Sequence, residues 1–334
     1  MARSLVLIAL PIETERRGTA RALATELLGG RADLLIRGDT PDDEVVRRAP
    51  EVDILVTYGF PRDLPDELWS GLTRLRLLQT TSAGVDNLPW ARIPRDVTVC
   101  SNAGAYGASI GEHAIALLLA AARNVVLHTD AIREGHFRQE PMGKSLRGKT
   151  LGVVGLGGIG SEAARLAVGL GMRVVGVNRR GASDAPVEWV GTLKDLDRLL
   201  EESDAVLLSI PLTRATVGLI GARELGRMKR DAILVNVARG RLVKEKDLYE
   251  HLKAHPAFQA ALDVWWEYPK GDGYPFTQPF HTLPNVVMTP HVAWAVPEQA
   301  RRSLEAALAN VARVLDGLPP RNVVDRSEYE PGKA

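Results

Sequence analysis

The six residues Gly155-Leu156-Gly157-Gly158-Ile159-Gly160 carry the most legible chemistry in the chain. They follow the apolar stretch 151–154 and open the helical pattern 161–170. Between a strand and a helix, a GxGxxG run has a mechanical meaning. Gly155 permits the tight turn, Gly157 admits a pyrophosphate to the backbone, and Gly160 lets helix and strand pack closely. Gly158 and Ile159 complete the loop, and the helix N-terminus offers N–H groups and a positive dipole end to phosphate. The end of the following strand decides which dinucleotide is bound. Where an acid commonly holds a ribose 2′-hydroxyl, this chain has Asn178, Arg179 and Arg180. No carboxylate is there to repel a 2′-phosphate, and two guanidiniums suit one. The bland alternative is a surface turn decorated by two arginines. The chemistry favours NADP(H), with NAD(H) as second choice.

Two series of short apolar runs must position these residues. In the first, 5–10, 53–57 and 75–79 read as buried strands, and 14–28 as a helix closed by Gly29-Gly30. In the second, 151–154, 173–177, 205–209, 232–236, 259–263 and 286–289 give six strands in βαβ rhythm. Continuously apolar strands belong to parallel sheets covered on both faces, so the predicted fold class is α/β. The almost uninterrupted Ala/Leu segment 110–124, with Glu112 and His113 near its start, needs cover on most faces. A domain junction or a second copy in a homodimer would provide it. Residues 268–284 read as a long irregular loop whose Tyr274, Phe276 and Phe280 pack on something, and a last amphipathic helix follows Pro297 as far as Leu315.

Further motifs then fall in order: Ser82-Ala83-Gly84-Val85-Asp86, Asn102-Ala103-Gly104-Ala105-Tyr106, Gly111-Glu112-His113-Ala114 and Gly148-Lys149-Thr150. After the glycine run come Pro211-Leu212-Thr213, Met228-Lys229, Val235-Asn236-Val237-Ala238-Arg239-Gly240, Ala261-Leu262-Asp263-Val264 and Asn285-Val286-Val287-Met288-Thr289-Pro290-His291. Together they resemble the D-isomer-specific 2-hydroxyacid dehydrogenases, in particular the glyoxylate/hydroxypyruvate reductase-like members, over residues 50–320. The resemblance implies two doubly wound parallel-sheet domains with a cleft between them. A flavodoxin-like substrate domain would take residues 1–101 plus 297–334, and a Rossmann cofactor domain residues 102–296. It also implies an oxidoreductase that reduces a small 2-oxo acid, such as glyoxylate or hydroxypyruvate, to a D-2-hydroxy acid.

Residue by residue, Arg239 matches the family's substrate-anchoring arginine, whose planar fork suits a carboxylate and a carbonyl oxygen. His291 matches the general acid/base that protonates the ketone oxygen as hydride reaches carbon. The family's third member, a glutamate five residues after the position of Asp263, is replaced here by Tyr268, with Glu267 beside it. Either Tyr268 orients His291 or Glu267 reaches it from the other side of the chain. Asp263 matches the residue at the nicotinamide carboxamide, and Pro211, Val237 and Ala238 fall in cofactor-binding motifs. Ala83, Gly84 and Val85 resemble the loop whose N–H groups hold the substrate carboxylate, with an ordinary strand-to-helix turn as the alternative. Tyr58 and Phe60 stand where the substrate side chain is set, with core packing an equal alternative. Trp294 stands where the family commonly has a small residue, and its indole is expected either to narrow the substrate pocket or to restrict the nicotinamide side.

Composition removes other classes. A chain of 334 residues, 45% hydrophobic and 25% charged, suits two globular domains, and a net charge of +1 lacks the footprint of a nucleic-acid binder. Cys100 is the only cysteine, so neither an intrachain disulfide nor a cysteine zinc site is expected, and no metal site is predicted. A reducing, cytoplasmic setting fits. No apolar stretch reaches the ~18 residues of a membrane span, and residues 5–10 fall short of the ~7–15 of a signal-peptide core; no membrane partner is expected. Two other functions remain open: a dinucleotide-sensing regulatory protein of the same fold, and a dehydrogenase of formate or phosphite.

Overall fold

The apolar runs become the inner strands of two all-parallel sheets. A computed structural model describes residues 3–10, 14–58 and 64–330. The first sheet contains β1 (Ser4–Ala9), β2 (Ala32–Ile36), β3 (Val52–Thr57), β4 (Leu77–Thr80) and β5 (Thr98–Cys100), in the order β2-β1-β3-β4-β5. Helices α1 (Thr14–Leu28), α2 (Asp42–Arg48) and α3 (Asp66–Gly71) connect its strands. All six residues of β3, the middle strand, are buried, which is why this run could hold no polar alternation. One of the six is Asp53, whose carboxylate accepts from Leu5 N (2.9 Å) and Arg74 Nη2 (3.0 Å). On one face of the sheet, Val6, Ile8 and Ile54 pack with Leu28 and with Leu304, Leu308 and Val311 of the last helix, α10 (Gln299–Leu315).

The second sheet contains β6 (Thr150–Val154), β7 (Arg173–Val177), β8 (Val190–Gly191), β9 (Ala205–Leu208), β10 (Ile233–Asn236), β11 (Gln259–Leu262) and β12 (Val286–Met288), in the order β12-β11-β10-β9-β6-β7-β8. Its helices are α4 (Gly107–Ala122), α5 (Val125–Arg133), α6 (Gly158–Gly169), α7 (Leu196–Glu202), α8 (Ala222–Arg227) and α9 (Glu245–Ala254). This is the doubly wound Rossmann arrangement, and its strand order reverses between β6 and β9. Six of the seven strands were legible as apolar runs. The seventh, β8, is two residues at an edge, as β2 and β5 are short strands at the edges of the first sheet.

The chain divides into two compact units, Met1–Ala105 with Pro297–Ala334, and Tyr106–Val296. The division falls after Ala105 rather than after residue 101 because the Asn102 loop is tied into the first unit. Asn102 Nδ2 donates to Thr81 O (2.9 Å) and Ser303 O (2.7 Å), and Gln299 Nε2 donates to Ala105 O (3.0 Å).

Helix α4 lies closely along α6 because two glycines remove the side chains between them. A Cβ at Gly107 would stand 2.9 Å from Gly158 O, and one at Gly111 2.8 Å from Glu162 Cγ. The expectation of cover on most faces is only partly met within the chain. Ala108, Glu112, Ala116 and Leu119 form an exposed stripe at helical spacing. Among the described residues, no single helix is long and apolar enough to cross a membrane.

Candidate active site

The glycine run closes off β6 with Gly155 at φ +103°, a conformation natural to glycine, and Gly155 N donates to Val177 O (2.8 Å). A Cβ at Gly160 would lie 1.9 Å from Gly155 O and 2.7 Å from Ser209 Oγ, so only glycine lets α6 start so close to the sheet. A Cβ at Gly157 would meet nothing within 4 Å. No side chain caps α6 at Gly157, so its first-turn N–H groups lack the side-chain acceptor that a capped helix has. These residues fit a dinucleotide pyrophosphate at the point where strand order reverses. Gly158 and Ile159 form the first turn of α6. Pro211 follows β9 and Val237 and Ala238 follow β10, all beyond the C-terminal ends of strands.

At the end of β7, Asn178 builds a turn. Its Oδ1 accepts from Arg180 N (2.9 Å) and Gly181 N (2.8 Å), and its Nδ2 donates to Ala182 O (2.7 Å). Its amide is engaged in its own loop, and the neighbouring Arg179 and Arg180 are exposed.

Strands β10, β11 and β12 run in register, with Asn236 beside Leu262 and Leu262 beside Met288. Three residues beyond those partners stand Arg239, Trp265 and His291, so one edge of one sheet delivers all three. Asn236 shapes the first turn: its Oδ1 accepts from Ala238 N (3.1 Å) and its Nδ2 donates to Arg239 O (2.9 Å). Arg239 is partly buried, and its Nη1 donates to Ala238 O (2.7 Å). Gly240 then passes against the next turn, where a Cβ would sit 2.3 Å from Trp265 C and O. Trp265, buried, links onward: its indole Nε1 donates to Thr289 O (2.9 Å), two residues before His291. Trp266 Nε1 donates to Val243 O (2.7 Å).

His291 itself has φ +58°, a left-handed conformation unusual for a residue other than glycine. Asp263 holds the turn in that shape. Its fully buried carboxylate accepts from Thr289 Oγ1 (2.6 Å), Val292 N (2.9 Å) and Ala293 N (3.0 Å), with His113 Nε2 3.6 Å away. Burial pushes the Asp263 carboxyl up, but the nearby His113 ring and the hydrogen bonds from Thr289 and the two backbone N–H groups outweigh it and hold it below the ordinary carboxylate range. Asp263, expected at the nicotinamide carboxamide, has protein donors on both oxygens. Trp294, expected to narrow a pocket, donates from Nε1 to His291 O (3.1 Å) and so clamps the same turn.

Of the two residues offered in place of the family's glutamate, it is the Tyr268 ring that stands beside His291, with centroids 5.4 Å apart and planes at 50°. Its hydroxyl accepts from Trp265 N (3.4 Å). Glu267 is exposed, and its backbone N donates to Pro275 O (3.0 Å).

In the first unit, Ser82 O accepts from Asn102 N (3.0 Å) and Thr80 Oγ1 (2.7 Å), and Gly84 O accepts from Ser82 Oγ (2.9 Å). The peptide N–H groups that follow these carbonyls belong to Ala83 and Val85. Tyr58 follows β3 and is partly buried. Phe60 lies outside the described residues.

Sequence reasoning missed His113, Asn236 and Trp265 as builders of this site. A histidine inside an Ala/Leu helix was the available signal for the first. The other two act through backbone groups that no motif spacing reveals.

Comparisons with known proteins bear on the family and the fold. Residues 115–293 match the family model for the D-isomer specific 2-hydroxyacid dehydrogenase, NAD binding domain. The chain is 33% identical over 306 residues to a hydroxypyruvate reductase of Thermotoga maritima, covering 90% of this chain and 95% of that protein. It is 36% identical to a glyoxylate reductase of Korarchaeum cryptofilum, covering 84% of this chain and 85% of that protein. Among solved structures, a D-isomer specific 2-hydroxyacid dehydrogenase family protein from Aeromonas salmonicida superposes with a TM-score of 0.79 at 26% identity, covering 97% of this chain and 99% of that one.

Proposed function

The chain belongs to the D-isomer specific 2-hydroxyacid dehydrogenase family and is an NAD(P)-dependent oxidoreductase, and from that premise we propose an NADP(H)-preferring reductase of a small 2-oxo acid, glyoxylate or hydroxypyruvate. Arg239 binds the carboxylate and polarises the keto oxygen, where its fixed charge counts most away from water. As the keto carbon is reduced, negative charge develops on that oxygen, and the His291 imidazolium delivers the proton that makes it the D-2-hydroxyl. When bound, the reduced nicotinamide supplies the hydride to the keto carbon. Gly155, Gly157 and Gly160 with the start of α6 hold the pyrophosphate, and Arg179 and Arg180 hold the 2′-phosphate. The N–H groups of Ala83 and Val85 assist with the substrate carboxylate. Tyr268 keeps the His291 ring in place through ring contact, and Glu267 has no part in the chemistry.

The observation that carries this reading is the departure of Arg239 and His291 from the C-terminal ends of β10 and β12, on either side of β11. Replacing Arg239 by Ala is expected to remove most turnover, and His291→Ala to cost roughly 10²–10⁴ in rate. Variants that bind NADPH normally yet turn over at the wild-type rate would refute it. NADPH binding with no turnover on any 2-oxo acid would favour the sensor instead.

The same reading includes a homodimer. Leu119, Val125, Val126, Ile132, Phe137 and Met142 leave large apolar surface exposed, with Phe137 at 83% and Met142 at 77%. A second copy covers like with like across a two-fold axis. Light scattering should give twice the chain mass, and Phe137→Asp should lower it to one. The setting is the cytoplasm, in keeping with a lone cysteine, Cys100, whose thiol burial pushes up to about 11.

A further inference from the structure

We propose that His113 is a positioning residue for the reaction, acting through Thr289 and Asp263 to hold His291 in its left-handed conformation. The inference rests on the reading of His291 as proton donor.

Thr289 Oγ1 lies 2.6 Å from the Asp263 carboxylate and donates its only hydrogen there. His113 Nε2 lies 3.2 Å from the same Oγ1, which is left with lone pairs alone toward the ring. His113 must therefore carry its hydrogen on Nε2 and donate, to Thr289 Oγ1 and toward Asp263 Oδ1 at 3.6 Å. The ring sits on α4, and that helix reaches the end of β12 because Gly107 and Gly111 let it lie close along α6. A polar side chain near the start of a largely apolar helix thus supports the hydroxyl and carboxylate from which the His291 turn hangs.

The turn needs such support. A left-handed backbone is unfavourable for a residue with a Cβ, and it persists only when its surroundings over-determine it. Four bonds do so: Val292 N and Ala293 N to Asp263, Trp294 Nε1 to His291 O, and Trp265 Nε1 to Thr289 O. Two of the four end on Asp263. If the carboxylate swings, both backbone bonds weaken together and the imidazole moves off its line to the keto oxygen, and small misplacements of this kind cost up to about 10²-fold in rate.

The test compares His113→Phe, which keeps the bulk and removes the donor, with His113→Gln, whose side-chain amide N–H can stand near the Nε2 position. His291→Asn is run in parallel. Steady-state kcat and KM, NADPH affinity by fluorescence and amide hydrogen exchange at Val292 and Ala293 are read for each. His113→Phe is expected to lower kcat roughly 10–100-fold, with KM and NADPH affinity nearly unchanged, to speed exchange at both amides, and to be rescued by Gln. Unchanged exchange at Val292 and Ala293 in the Phe variant overturns the proposal, as does a loss confined to KM or to NADPH affinity, or a Gln variant no better than Phe. Wild-type kcat in His291→Asn would overturn the proton-donor reading alone, because the two amides still report whether His113 holds the turn.

Discussion

Replacing Asp263 by Asn changes one buried atom from acceptor to donor while keeping the shape. In the native protein the carboxylate takes bonds from Thr289 Oγ1, Val292 N and Ala293 N at 2.6, 2.9 and 3.0 Å. An amide there keeps one oxygen, which still accepts from Thr289 and Val292, and turns an NH2 group onto the Ala293 N–H. An unpaired buried donor costs about 1–3 kcal/mol, and each remaining bond falls from charge-assisted to neutral at about 1 kcal/mol. The sum is about 3–5 kcal/mol. For a unit the size of Tyr106–Val296, each kcal/mol moves the melting temperature by about 2–4 °C, so a fall of about 6–20 °C at neutral pH is expected by calorimetry. The sign with pH is fixed as well. Asp263 is held below its ordinary value, so its stabilisation is present above the unfolded carboxyl pKa of about 3.9 and is lost as pH falls through the lower folded value. The gap between wild type and variant should be flat from neutral pH down to about 5 and should close only in acid below about 4. A variant melting within about 2 °C of wild type at neutral pH would refute the reasoning, since that is less than one lost bond.

Three other outcomes follow from the same geometry. Arg179→Ala with Arg180→Ala should weaken NADPH roughly 10–100-fold and leave NADH within a few-fold, because charge-assisted bonds to a 2′-phosphate are worth about 1.5–3 kcal/mol; paired KM values for the two coenzymes check it. Gly157→Ala should leave thermal stability unchanged yet weaken either coenzyme, as its Cβ enters open space where the pyrophosphate would approach, whereas Gly160→Ala should cost stability too, its Cβ falling 1.9 Å from Gly155 O. Trp294→Phe removes the N–H that reaches His291 O and should lower kcat by roughly tenfold, the worth of one hydrogen bond of about 1 kcal/mol or somewhat more, with KM unaltered.

The parts of this molecule that were legible are those whose cause is local. Runs such as 151–154 and 173–177 are continuously apolar because inner strands of a parallel sheet meet helices on both faces, and both became strands. The three strands not read from the sequence, β2, β5 and β8, all lie at sheet edges and are two to five residues long. Their pairing with a neighbour, not their own composition, makes them strands. The glycine run was readable because each glycine has its own steric reason. The scaffold behind His291 was not, because it is assembled from α4, β11 and β12, elements far apart in sequence. Asp263 illustrates the limit: its motif marked it as important, but only the backbone of Val292 and Ala293 shows what its oxygens do. Trp294 is similar, a departure in size that turns out to be a hydrogen-bond donor to the turn it follows.

The most direct measurement is the rate of NADPH oxidation by the wild-type protein with glyoxylate and with hydroxypyruvate, set against Arg239→Ala and His291→Ala at equal coenzyme saturation. Turnover of at least one of the two acids by wild type, lost in both variants, is the expected result. Coenzyme bound by all three proteins and oxidised by none, or oxidised equally by all, would contradict the assignment of Arg239 and His291 to the reduction of a 2-oxo acid.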